Sequence, residues 1–293
     1  MRKLTRPLHL LLAALTYTLG ASIPAYLGKP FQPLAFALGL AGVLLSQLSM
    51  SLLAEVFRPH NEPLVEDETP QQKETLRNNM LYVSIAALSS NAFIVYLLYI
   101  NQVLALPSLR EPQGGAFILY LSSFILVLAY ALPPIRLLNR GFGELTLAAH
   151  IAYVIPSIGF LLQAKENHRL LAVIIIPLTA LALAYFLVIN FTSFPSDEKY
   201  QRATLLRRLT WERAVPLHHS LLVFAYVIFA IAPVLGFSIL WTAFLTLPFA
   251  LLQIILVRNI SLGAKPNWTL LTSTALAVFG LTTYFIALTF WLR

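Results

Sequence analysis

Nine stretches of roughly 18 to 24 residues run through this chain with almost no charged side chain, and that pattern limits its fold more than any other feature. They cover 8–27, 33–53, 80–100, 115–132, 143–163, 170–190, 218–235, 238–257 and 269–292. A hydrocarbon core about 30 Å thick is crossed by a helix of about 20 apolar residues. Lipid offers no partner to unpaired backbone groups, so such segments cross as helices. A barrel would need alternating segments of about ten residues, and the sequence has no such pattern. The expectation is an all-α polytopic membrane protein, a single bundle of about nine transmembrane helices forming one domain over 1–293.

Composition agrees. Soluble domains are about 25% charged, whereas Asp, Glu, Lys and Arg make up 11% of this chain and hydrophobic residues 58%. There is no cysteine, which excludes disulfides, thiolate metal sites, haem attachment and a cysteine nucleophile. The formal charge of +8 does not point to nucleic acid, because no recognition helix, zinc spacing or aromatic-basic ribbon accompanies it. Basic residues instead mark cytoplasmic loops. With the amino terminus inside, fifteen of the twenty Lys and Arg fall on inside segments; Lys29, Arg110, Lys165, Arg169 and Arg293 fall outside. This reading puts the amino terminus in the cytoplasm, the carboxyl terminus opposite, and the chain in the plasma membrane of a prokaryote. The basic start and long apolar run at the amino terminus read as a retained first helix.

Two inside loops are long and polar, 54–79 and 191–217. Each joins carboxylates to guanidinium groups beside a helix end. Carboxylates hold Mg²⁺ together with substrate phosphates, and Arg or Lys binds phosphate oxygens directly. The same composition also suits an ordinary solvated loop. Between them, YALPPIRLLNRGFGEL combines paired prolines that stop a helix with glycines that permit a tight re-entry.

That segment resembles the Tyr-Ser-x-Pro-Pro-x-Arg-x-Lys-x-Arg-Gly-x-Gly-Glu stretch of the UbiA superfamily of intramembrane prenyltransferases. Tyr130, Pro133, Pro134, Arg136, Arg140, Gly141, Gly143 and Glu144 match it. The superfamily also has nine spans and two Asp-rich motifs after helices 2 and 6, which bind Mg²⁺ and an isoprenoid diphosphate. On this sequence the first motif, Asn-Asp-x-x-Asp-x-x-x-Asp, falls at Ala54, Glu55, Arg58 and Glu62. The second, Asp-x-x-x-Asp with a following Gly-Lys-x-Thr-Leu, falls at Ser193 and Asp197, then Arg202, Thr204 and Leu205. Two acidic positions are thus Glu, one is Ser, and one is a cation.

The resemblance implies transfer of an isoprenoid chain from a prenyl diphosphate to a hydrophobic, aromatic acceptor of the quinone-precursor type. It implies Mg²⁺ on Glu55, Glu62 and Asp197, a claim weakened by Arg58 and Ser193. Arg58, Arg202, Lys199 and Arg136 are the candidates for holding diphosphate, and Tyr130 offers its ring face to a carbocation. Glu144, Asn190 and Ser193 are candidate cavity-lining residues. Two other readings stand beside this one: a non-catalytic lipid- or quinone-binding protein of the same fold, and a secondary transporter. His150 and Asn91 read as interhelical contacts, and His218 with His219 as interface residues. Trp211, Trp268 and Trp291 read as interfacial anchors.

Overall fold

The computed structural model describes residues 5–59, 61–65, 68–106 and 114–292. Arg2, Lys3, Arg110 and Arg293, which enter the charge distribution, lie outside the described residues. In order, the helices are α1 (Pro7–Tyr26), α2 (Pro33–Val56), α3 (Pro70–Ile100), α4 (Gly115–Ala131), α5 (Gly143–Ala164), α6 (Arg169–Lys199), α7 (Leu205–Ile231), α8 (Ser238–Ser261) and α9 (Trp268–Trp291). Eight are long and apolar enough to cross a membrane, and α4, at 17 residues, is a shorter apolar helix. The chain is an all-helical integral membrane protein, close to the nine spans expected.

Local chemistry sets the helix starts. Proline occupies the first turn of α1, α2 and α3, where a missing N–H costs nothing. Thr69 and Gln72 form a reciprocal capping box on α3, Thr204 accepts from the Arg207 N–H on α7, and Asn267 accepts from the Leu270 N–H on α9. Three helices outrun their apolar windows. α3 starts at Pro70, α6 continues to Lys199 and α7 starts at Leu205, so much of both expected loops is helical. Hydropathy registers where the chain leaves hydrocarbon, whereas helical hydrogen bonding continues into the interface. Among the described residues, the non-helical connections are 57–59, 61–65 with 68–69, and 200–204.

α5 is the inner helix, with 83% of its apolar window buried, while α3 is peripheral with 22%. α3 turns Ile85, Phe93 and Tyr96 outward, as a lipid-facing surface requires. α1 and α5 cross almost backbone to backbone. A Cβ on Gly20 would fall on the Pro156 carbonyl, and one on Gly159 would lie 2.5 Å from the Tyr17 carbonyl oxygen. Small residues let membrane helices gain dispersion contact where no hydrophobic drive exists between them.

Polar groups at depth are matched across helices. His150 lies in a π-turn of α5 over His150–Val154. Its Nδ1 meets the Gln47 Oε1 at 2.9 Å and its Nε2 the Ser123 Oγ at 2.8 Å, which joins α5 to α2 and α4. Asn91 donates to the Ser46 Oγ at 2.8 Å. His218 and His219 bond the Gln253 side chain and the Ile254 carbonyl of α8 at 2.8 and 3.1 Å. Trp211, expected as an interfacial anchor, stacks on Phe191 at 4.6 Å and ties α7 to α6.

The close crossing is testable. Gly20→Ala should cost about 1–3 kcal/mol through overpacking against backbone, read as a lower thermal midpoint in detergent. Gly280→Ala, whose Cβ would meet Leu12 and Leu276 side chains at an ordinary 3.7 Å, should leave the midpoint within a degree or two. Equal midpoints for the two variants would contradict the crossing.

Candidate functional site

Several helix ends converge at one end of the bundle: the start of α1, the end of α2, the α4–α5 connection, the start of α5, the end of α6 and the start of α7. They enclose a cavity of about 280 Å³. Its polar wall is a continuous chain of alternating charges. Arg6 binds Glu55 at 2.9 Å. Arg58 stands between Glu55, which it ion-pairs, and Glu62 at 3.0 Å. Arg202 stands in turn between Glu62, with its Nε 3.0 Å from Oε2, and Asp197, with its Nη1 2.9 Å from Oδ1. Ser193, one turn earlier on α6, donates to the other Asp197 oxygen at 2.6 Å.

The local sequence explains how these groups meet. Glu55 is in the last turn of α2, and the turns that follow it, with the Arg58 N–H on the Glu55 carbonyl and the Glu62 N–H on the Pro59 carbonyl, each at 3.1 Å, bring each side chain to the next. On α6, Ser193 and Asp197 share a face. The Arg202 N–H donates to the Asp197 carbonyl at 2.9 Å, a turn that brings the Arg202 side chain back over the same carboxylate. Burial makes the pairing obligatory: Glu55, Glu62 and Asp197 are 3%, 1% and 2% exposed. An unpaired ion at such depth costs several kcal/mol. Burial also works against the Arg202 charge, but the hydrogen bonds and charges of Glu62 and Asp197 outweigh it and raise its pKa.

The opposite wall comes from the α4–α5 connection and α5. Arg136, in a left-handed conformation at φ 34, lines the cavity. Among the described residues it makes no ion pair, and its Nε is buried without a hydrogen-bond partner. Burial lowers its pKa, opposed by the charges of Glu62 and Glu55. Gly141 adopts φ 73, and a Cβ there would collide with the Arg208 side chain of α7; the Arg208 guanidinium lies 5.1 Å from the Phe142 ring centre. The connection is thereby clamped to α7. Glu144 is buried and accepts from the Asn190 amide and, at 3.2 Å, from the Leu205 N–H. It joins α5, α6 and α7. Ala54, Tyr130, Leu147, Phe186 and Ile189 supply the apolar part of the lining.

Of the residues singled out from sequence, Glu55, Arg58, Glu62, Tyr130, Arg136, Glu144, Asn190, Ser193, Asp197 and Arg202 all line this cavity. Lys199 does not. Two residues beyond Asp197, it lies about 200° further round the helix, exposed, with its ammonium 5.2 Å from the Tyr200 ring. Sequence reasoning missed Arg6 and His9. Arg6 looked like an orientation charge, because its partner Glu55 is 49 residues away. His9 carried a usable signal, an ionisable group inside an apolar span; its ring packs edge-on against Phe186 at 5.4 Å.

No protein-family model and no curated protein sequence matches the chain. Solved structures do match its fold over nearly the whole length. A UbiA homolog from Archaeoglobus fulgidus bound to GPP and Mg²⁺ superposes with TM-score 0.68 at 16% identity, covering 99% of this chain and 97% of that one. A UbiA homolog structure from the same organism bound to DMAPP and Mg²⁺ gives 0.61 at 13% identity, covering 99% and 98%. An apo UbiA homolog from Aeropyrum pernix K1 gives 0.53 at 11%, covering 97% of each chain. The chain therefore has a UbiA-like fold.

The carboxylates can be compared with what a divalent ion needs. No group of three His, Cys, Asp or Glu side chains among the described residues is arranged to hold a metal. Each of Glu55, Glu62 and Asp197 is already neutralised by at least one guanidinium. So arranged, the donor set does not fit Mg²⁺.

The charge chain makes a stability prediction. Arg202→Gln should cost about 2 kcal/mol, less than the ~3–5 kcal/mol of a fully buried pair because Arg202 is 31% exposed. Adding Asp197→Asn removes the stranded carboxylate and should recover about 1 kcal/mol. Thermal midpoints of the two single variants and the double variant measure this coupling. Strict additivity would mean that the pair is not coupled.

Proposed function

We propose that this chain is an intramembrane prenyltransferase, an alkyl transferase that moves an isoprenoid chain from a prenyl diphosphate to a hydrophobic, aromatic acceptor of the quinone-precursor type. The observation that carries the reading is the two-part character of the cavity. Arg6, Arg58, Arg136 and Arg202 line it together with the apolar groups of Tyr130, Leu147, Phe186 and Ile189. Such a cavity suits a molecule with a multiply charged head and a hydrocarbon tail. The GPP and DMAPP complexes among the structures of similar fold add support.

In this reading the diphosphate lies against the arginines and the allylic carbon faces Tyr130. The C–O bond breaks and its electron pair leaves with diphosphate. Guanidinium groups held in place beforehand stabilise the charge building on those oxygens without reorganising. The allylic cation is shielded from water by the apolar lining and faces the Tyr130 ring. Attack by the acceptor's electron-rich carbon yields the prenylated acceptor, diphosphate and a proton. Glu144, Asn190 and Ser193 act as positioning residues, holding the ends of α5, α6 and α7 around the cavity. No step is routed through Mg²⁺, since the paired carboxylates do not fit it. The arginine-rich end faces the cytoplasm of a prokaryotic cell, as the charge distribution indicates.

The test is release of pyrophosphate from GPP by the purified protein in detergent with a phenolic acceptor. Release with formation of prenylated phenol is expected, and Arg202→Gln should lower kcat about a hundredfold. Binding of GPP without release, across a panel of acceptors, would replace this reading with that of a non-catalytic lipid-binding protein. The crowding of carboxylates by arginine is the feature that favours that second reading.

A further inference from the structure

Resting on the reading of this cavity as a prenyl-diphosphate site, we propose that Arg58 and Arg202 are resident cations which, with Arg136, take the diphosphate directly, so that substrate binds without a divalent ion.

The order of charges along the wall carries the argument. Glu55, Glu62 and Asp197 are three buried carboxylates brought together from the end of α2, the segment after it and the end of α6. Three such groups repel one another unless positive charge lies between them. In this chain the charge between the first two is the Arg58 guanidinium, and between the second and third the Arg202 guanidinium. Both cations are covalent parts of the chain. A divalent ion entering here would have to displace a guanidinium from two carboxylates at once and leave it beside the incoming charge. Like charges at that spacing repel strongly in a partly buried site. An anion meets the opposite situation, because a guanidinium has five N–H donors. Arg58 and Arg202 retain donors beyond those facing the carboxylates.

Arg136 supplies what the ladder lacks. It approaches from the α4–α5 connection, has no carboxylate partner among the described residues, and has a buried Nε without an acceptor. A buried, unsatisfied guanidinium donor is costly, and a phosphate oxygen would satisfy it with a charge-assisted bond. The arginine sits in a left-handed conformation before the short turn Leu137–Arg140, and its N–H donates to the Leu132 carbonyl at 2.8 Å, which holds its backbone in place. The surroundings add positive charge: Arg77 donates to the Arg58 carbonyl at 2.6 Å, and Arg207 to the Arg202 carbonyl at 2.9 Å. A diphosphate therefore meets a surplus of fixed cations at the mouth of the cavity.

The experiment is binding of GPP and of inorganic pyrophosphate to the detergent-purified full chain, in EDTA and then in excess Mg²⁺. Affinity in EDTA within about threefold of that in Mg²⁺ is the expected result. Arg136→Gln should weaken both ligands at least tenfold in EDTA with the thermal midpoint unchanged, since it removes a donor that no protein group uses. Arg58→Asp, which opens a gap between Glu55 and Glu62 and adds a fourth carboxylate to the wall, should shift the requirement and bind GPP only with Mg²⁺. Binding by the wild-type chain only with Mg²⁺ would overturn the proposal and leave the functional reading standing. Failure to bind GPP under either condition would overturn both. An Arg136→Gln protein with unaltered affinity would remove that residue from the site and with it the proposal as stated.

Discussion

A backbone amide in hydrocarbon has no solvent to turn to, and every other property of this molecule follows from how the chain meets that demand. Helices satisfy their own amides internally and leave unsatisfied groups only at their ends. Polar chemistry in such a chain collects where helices begin and stop. The cavity is built where helices begin and stop: the starts of α1 and α5, the ends of α2 and α4, the second half of α6, and the connections that carry Arg58, Arg136 and Arg202. The interior of the bundle holds hydrogen-bonded polar pairs, such as Gln47 with His150 and Ser46 with Asn91.

Charge obeys a related rule. A carboxylate at 1–3% exposure cannot persist alone, and the alternation Arg6, Glu55, Arg58, Glu62, Arg202, Asp197 gives each of these three acids a cation within reach. The arrangement is both a fastening between helix ends and a set of oriented donors. Those two uses compete for the same guanidinium groups, which is why Arg136, outside the fastening, stands apart from the others in character.

Much of this was legible in the sequence, for identifiable reasons. Apolar runs report candidate lipid crossings directly, and six of the nine coincide with a helix to within four residues at both ends. The Tyr130-to-Glu144 stretch was legible because its prolines and glycines answer local needs: Gly141 requires positive φ and a bare Cα beneath Arg208. Helix ends were misjudged where polar sequence remains helical, as in α6 beyond 190 and α7 before 218. Face was misjudged at Lys199, because charge type was read without angular position. Arg6 was missed because its meaning depends on a partner supplied by a different helix. A single sequence displays neighbours along the chain, and this site is made of neighbours across it.

The separations inside the ladder have a consequence for how the molecule is born. Arg6 and Glu55 are 49 residues apart, while Glu62 and Arg202 are 140 apart. A ribosome feeding the membrane delivers the acids of the second helix end long before Arg202 emerges. Until six helices are made, Glu62 has Arg58 alone, because its later partner Arg202 does not yet exist. Closure of the charged wall thus waits until the chain has grown past its sixth helix.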